Sequence, residues 1–137
     1  MRITVSHTFL QVQDQDEALA FYRDVLGMEV RTDVRMDEGY RWLSVGPADQ
    51  PELQVVLEDP AMGRPADDAI SLKELLAKGS LGALIFRVDD CDATFEEVRA
   101  AGAEVMQEPV DQAYGVRDCA FRDPSGNQLR FAGPIKG

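Results

Sequence analysis

Histidine occurs only once in this chain, at position 7, and cysteine only twice, at Cys91 and Cys119. Neither cysteine has a CxxC partner, so the pattern offers no disulfide framework and no thiolate metal cage. The two are expected to be small, semi-buried side chains in a reducing, cytoplasmic setting. Basic residues are also scarce. Fourteen Lys and Arg stand against 25 Asp and Glu, for a net charge of −11. Phosphate contact favours a positive face, so no nucleic-acid partner is expected. No apolar run approaches the roughly 18 residues of a membrane span. Residues 1–6 enter a strand-like pattern directly, with no apolar signal region, so no membrane partner is expected either. Gly79-Ser80-Leu81-Gly82 lacks the lysine and the following helix of a phosphate cradle, and no cofactor is expected.

What the chain does contain is a repeat. His7-Thr8-Phe9-Leu10-Gln11-Val12-Gln13-Asp14 is echoed by Ala83-Leu84-Ile85-Phe86-Arg87-Val88-Asp89-Asp90. Val12 and Val88, Asp14 and Asp90, Asp16 and Asp92, and Arg23 and Arg99 are each 76 positions apart. The spacing then slips by one, so that Gly27 matches Gly102, Glu29 matches Glu104 and Val30 matches Val105. A module written twice folds twice, and ligands often bind between such halves. In this pairing His7 faces Ala83.

The local patterns give each copy the order β-α-β-β-β. Residues 3–12 alternate and carry β-branched and aromatic side chains, as a strand does. Asp14 and Glu17 have capping-box spacing, and Leu19, Phe21, Tyr22, Val25 and Leu26 follow a helical period up to Gly27. Strands are expected at Met28–Val34, Arg41–Val45 and Leu53–Glu58. In the second copy strands are expected at Ala83–Val88, Glu104–Gln107, Arg117–Arg122 and Asn127–Ala132, with a helix over Asp92–Ala101 and a tight turn at Asp123-Pro124-Ser125-Gly126. Between the copies, Ser71-Leu72-Lys73-Glu74 reads as a capping box opening a short linker helix that stops at Gly79. The expected organisation is one domain over 1–137, with module one at about 1–58, a linker at about 59–81 and module two at about 82–137.

Taken together, His7 through Asp14, Ala20-Phe21-Tyr22-Arg23-Asp24-Val25-Leu26-Gly27 and Phe121-Arg122-Asp123-Pro124-Ser125-Gly126-Asn127-Gln128-Leu129 resemble the vicinal oxygen chelate superfamily. That group contains glyoxalases, ring-cleaving dioxygenases, fosfomycin-resistance enzymes and bleomycin-resistance proteins. The resemblance implies an α+β fold in which two βαβββ modules form a curved, incomplete barrel around a cavity. It implies a homodimer, since many members pair modules across subunits. It also implies that metal-dependent members take ligands from the first and last strands of each module. Those positions here are His7, Val56, Ala83 and Arg130.

Only one of the four can ligate a metal. Val56 and Ala83 have no lone pair, and Arg130 carries a permanent cation, whereas a catalytic metal needs about three protein ligands and an open position. Glu58 is close in sequence but one step further along the strand. No metal site and no catalytic residue are therefore expected. His7 is read as a hydrogen-bonding group of the barrel or of a pocket. The same superfamily contains metal-free proteins that sequester antibiotics, and the expected function is binding of an aromatic or cationic antibiotic without chemistry. A glyoxalase-like lyase or dioxygenase with an atypical or absent metal site is the alternative. The expected ligand-binding residues are His7, Tyr40, Trp42, Val56, Ala83, Phe86, Tyr114, Phe121 and Arg130. The aromatic members would offer flat stacking surfaces. Asp37, Glu38, Asp111 and Asp118 are the acids that could rim the cavity and attract a cation.

Overall fold

The computed structural model describes all residues from Met1 to Gly137. The elements are β1 (His7–Gln11), α1 (Gln15–Ala20), a π-helical turn (Phe21–Val25), β2 (Glu29–Arg35), β3 (Arg41–Gly46), β4 (Gln54–Glu58), α2 (Ala66–Ala77), β5 (Ala83–Arg87), α3 (Cys91–Ala100), β6 (Glu104–Asp111), β7 (Arg117–Arg122) and β8 (Gln128–Gly133). They form two four-stranded mixed sheets, ordered β1-β4-β3-β2 and β5-β8-β7-β6. In each sheet the first strand runs parallel to the last and the other pairs are antiparallel. The fold is α+β, with two βαβββ modules, and neither sheet closes on itself.

The two helices that open the modules begin alike. Asp14 caps α1 by accepting from the Glu17 N–H at 3.0 Å, and Asp90 caps α3 by accepting from the Ala93 N–H at 3.1 Å. They also end alike, at Gly27 (φ +72°) and Gly102 (φ +95°), where the left-handed backbone suits only glycine. Between these fixed points module one has one residue more than module two. The π turn takes it up. The Leu26 N–H bonds to the Phe21 carbonyl, five residues back. The one-residue slip in the repeat is thus a widened turn, and it brings Phe21 and Tyr22 both inward, 7% and 0% exposed.

Alternation along the strands decides what each sheet covers. Leu10, Leu43, Val45, Val55 and Leu57 face the helix side in module one, as do Cys119, Phe121, Leu129 and Phe131 in module two. These residues and those of α1 and α3 make one apolar cluster that spans both modules. Phe121 packs between Phe95 (centroids 5.4 Å apart) and Phe131 (6.0 Å), and Phe86 stacks on Phe131 at 5.2 Å. Phe95, Phe121 and Phe131 are buried, and each contributes about 1.5–3 kcal/mol over its exposed state.

Polar contacts tie the modules at one further place, the turn between β7 and β8. Asp123 is 5% exposed. Its Oδ1 accepts from the N–H groups of Ser125, Gly126 and Asn127, each at 2.9 Å. Its Oδ2 accepts from the Tyr22 hydroxyl at 2.6 Å and from Asn127 Nδ2 at 2.9 Å. Asn127 Nδ2 also reaches the Gln11 carbonyl, and Ser125 Oγ accepts from the Gln13 N–H.

Two expectations are corrected. The linker helix starts at Ala66, directly after Pro65, so Ser71 lies inside it and does not cap it. Pro65 followed by Asp67 and Asp68 is itself a helix start, with acids placed at the positive end of the dipole. β6 runs on to Asp111, well past Gln107, because bulges around Gln107 carry the pairing across Pro109.

Tyr22→Phe removes one donor from a buried carboxylate while keeping the ring. It should lower unfolding stability by about 1–3 kcal/mol, read as a lower urea midpoint with unchanged slope.

Candidate functional site

The face of each sheet turned away from the helices carries exposed Phe9 and Ile85 beside buried side chains. In module one it carries His7, Phe9 and Gln11 of β1, Gln54, Val56 and Glu58 of β4, and Trp42 and Ser44 of β3. In module two it carries Ala83 and Ile85 of β5, Arg130 of β8, Asp118 and Ala120 of β7, and Gln107 of β6. The strand registers make these positions equivalent in pairs. His7 corresponds to Ala83, Phe9 to Ile85, Val56 to Arg130, Ser44 to Ala120 and Trp42 to Asp118.

The module-one face is an aromatic platform. Trp42 stands between two neighbours, with the His7 ring 6.3 Å away and tilted by 58° and the Phe9 ring 5.8 Å away and edge-on at 83°. Phe9 is 50% exposed. His7 Nδ1 lies 2.9 Å from Ser6 Oγ. Below the rings, Ser44 Oγ donates to Gln54 Oε1 at 2.7 Å.

The module-two face is a polar network. Asp118 is 1% exposed. Gln107 Nε2 and Gln112 Nε2 both donate to its Oδ1 at 2.9 Å, and the Tyr114 hydroxyl donates to Oδ2 at 3.0 Å. Arg130 Nη1 lies 3.2 Å from the same Oδ2 and donates to Gln107 Oε1 at 3.1 Å. Burial pushes the Asp118 carboxyl up, but Gln112, Gln107, Tyr114 and the Arg130 cation together outweigh it and hold the group below its usual value.

The structure therefore brings His7, Trp42, Val56, Ala83, Arg130 and Tyr114 to the open faces. Val56 is fully buried there, in register between Phe9 and Ser44. Tyr40 precedes β3, half-buried, with its carbonyl accepting from the Met36 N–H. Phe86 and Phe121 are not brought there; both point to the helix side and pack in the core. Asp118 is no rim acid, because it is buried and holds three hydrogen-bond donors and an ion pair with Arg130. Phe9, Gln107 and Gln112 were not anticipated. Phe9 carries a readable signal, as it lies two residues from His7 and so shares its face.

The donor set does not fit a catalytic metal. Val56, Ala83 and Arg130 supply no ligand atom. Glu58 pairs in register with Gln11, four residues or about 13 Å along β1 from His7. Its Oε1 is already held by Gln11 Nε2 and Arg64 Nη1, each at 2.7 Å. No three His, Cys, Asp or Glu side chains converge anywhere in the chain. Neither cysteine is activated by its surroundings. Burial pushes Cys119 up to about 12 and raises Cys91, so both stay protonated at neutral pH.

The family model described as the Glyoxalase/Bleomycin resistance protein/Dioxygenase superfamily matches residues 4–131. The chain is similar to the solved structure of UcmS2, at 40% identity and a TM-score of 0.88 over 96% of this chain and 98% of that one. It is also similar to TnmS3, an antibiotic binding protein from Streptomyces sp. CB03234, at 30% identity and a TM-score of 0.76 over 98% and 99% of the two chains. A probable lactoylglutathione lyase of Vibrio parahaemolyticus serotype O3:K6 is 30% identical over 129 residues, 93% of this chain and 88% of that one.

The lowered Asp118 carboxyl has a consequence for acid stability. Its contribution is present above the ordinary value of 3.8 and is lost as pH falls through the lower folded value. From about pH 5 to about pH 3 the thermal midpoint of the native chain should fall more steeply than that of Asp118→Asn. Parallel slopes in melts followed by circular dichroism would contradict the network.

Proposed function

We propose that this chain, which belongs to the glyoxalase/bleomycin resistance protein/dioxygenase superfamily, binds and sequesters an aromatic small molecule of the antibiotic class and performs no chemistry on it. One observation carries the reading. At the four positions where metal-dependent relatives would hold their ion, this chain has one competent donor, while a three-ring platform occupies the same face. Such a platform stabilises a flat ligand by stacking, each ring contributing on the order of 1 kcal/mol beyond area. The likeness to an antibiotic binding protein along nearly the whole length supports the same reading.

The open faces also favour a homodimer. Phe9 is 50% and Ile85 74% exposed, and they stand at equivalent positions of the two modules. Both stay exposed in one chain. A second copy that sets its module two over module one would close two equal cups, as an isologous two-fold contact requires. Ligand and partner would then share the same surface.

The second reading is a lyase, favoured by the likeness to the probable lactoylglutathione lyase. The two are separated by titration. Trp42 is the only tryptophan, so its fluorescence should be quenched saturably by at least one of bleomycin, mitomycin C and planar polycyclic antibiotics. Phe9→Ala should weaken that binding about tenfold, the equivalent of 1.4 kcal/mol. Stoichiometric nickel or zinc binding, with turnover of the methylglyoxal–glutathione hemithioacetal, would replace sequestration by the lyase. Sedimentation velocity should give a dimer; a monomer at micromolar concentration would remove the two-chain cup.

A further inference from the structure

The polar network on module two says what kind of ligand the cup reads. Asp118 is the buried acid of this face, and Glu104, at the far end of the same face, is already paired with Arg122. An ionised carboxylate has about four lone-pair sites. Here three hydrogen bonds are accepted, from Gln107 and Gln112 on Oδ1 and from Tyr114 on Oδ2, and Arg130 Nη1 stands 3.2 Å from Oδ2 as an ion pair. The orientation of the Gln107 amide is fixed by the same contacts. Its Nε2 must face Asp118 and its Oε1 must face Arg130, because the reverse would set two donors against each other.

Arg130 is in the opposite condition. Both of its protein contacts fall on Nη1. Nε and Nη2, the two N–H groups of one planar edge, have no protein partner, and the side chain is 25% exposed. On its strand neighbours the register places exposed Ile85 on one side and Ala120 on the other. The result is a small apolar patch with one two-pronged donor edge. The cation is already neutralised by Asp118, so a ligand anion finds a pair of zero net charge within a chain of net charge −11.

We infer that the free Nε–Nη2 edge of Arg130 recognises a neutral oxygen acceptor, a ring carbonyl, on an aromatic ligand, and that Asp118 is the positioning residue that neutralises Arg130 and fixes this edge. The inference rests on the binding reading above and narrows it, from an aromatic small molecule to an uncharged aromatic carbonyl compound. Both N–H groups of the edge can donate to a single carbonyl oxygen in a three-centre contact. The aromatic platform at the equivalent positions of module one supplies the stacking surface, and the charged edge supplies direction.

The test uses three tricyclic probes of similar size: fluorenone with a carbonyl, fluorene with none and cationic proflavine. Each is titrated against the full-length protein by calorimetry and by Trp42 fluorescence. Fluorenone should bind about tenfold more tightly than either of the others, the factor one charge-assisted hydrogen bond carries. Arg130→Lys keeps the charge that Asp118 needs but loses the planar fork, and should erase the preference while leaving fluorene unchanged. The double variant Asp118→Asn with Arg130→Met, which buries no unpaired charge, should do the same. Trp42→Ala, read by calorimetry, should weaken all three probes alike. Proflavine binding as tightly as fluorenone, or an unchanged preference in both arginine variants, would overturn the acceptor assignment and leave sequestration standing. If no probe binds the native protein, the sequestration reading falls and takes this one with it.

Discussion

The carboxylate of Asp123 draws five donors from two parts of the chain. Three are backbone N–H groups of its own turn, one is the amide of Asn127 and one is the hydroxyl of Tyr22 from the other module. A buried charge is tolerable only when its lone pairs are filled, so none of these groups can leave without cost. The same turn holds the end of β1 through Gln11 and Gln13. It therefore fixes two things together. The strand that carries His7 and Phe9 ends against it, and the strand that carries Arg130 begins from it. Where the aromatic surface sits relative to the donor edge is set at this turn, outside the cup.

The equivalent positions of the two modules have been put to different uses. Trp42 corresponds to Asp118 and Val56 to Arg130, so one module presents rings where the other presents a charge pair. A symmetric pair of faces could only offer a ligand the same chemistry twice. The divided arrangement gives it a hydrophobic side and an oriented side, which fits recognition of a flat molecule with one distinct edge.

Much of this was legible before any coordinates. The repeat, the caps at Asp14 and Asp90 and the glycines that end the helices are local signals, and local signals survive folding. Strand parity was legible too, and it would have assigned Phe86 and Phe121 to the core. Ala83 and Ile85 share one face, so Phe86 must take the other. Arg130 and Phe121 differ in the same way once β7 and β8 are paired. The helix start at Pro65 was present in the letters but competed with a capping box at Ser71 that the fold does not use. The network around Asp118 was not legible. Gln107 reaches it only because bulges alter the register of β6, and Gln112 and Tyr114 reach it from a hairpin loop. Contacts of that kind depend on three segments meeting, and no spacing encodes them.

The widened turn at Phe21–Val25 gives the duplication a direction. By the spacing of the repeat, the counterparts of Tyr22 and Asp123 are Val98 and Pro47, whose apolar side chains have no hydrogen bond to make. Module one grips module two, and the reverse grip does not exist. Making the two halves identical in either direction would therefore erase either the hydroxyl or its acceptor.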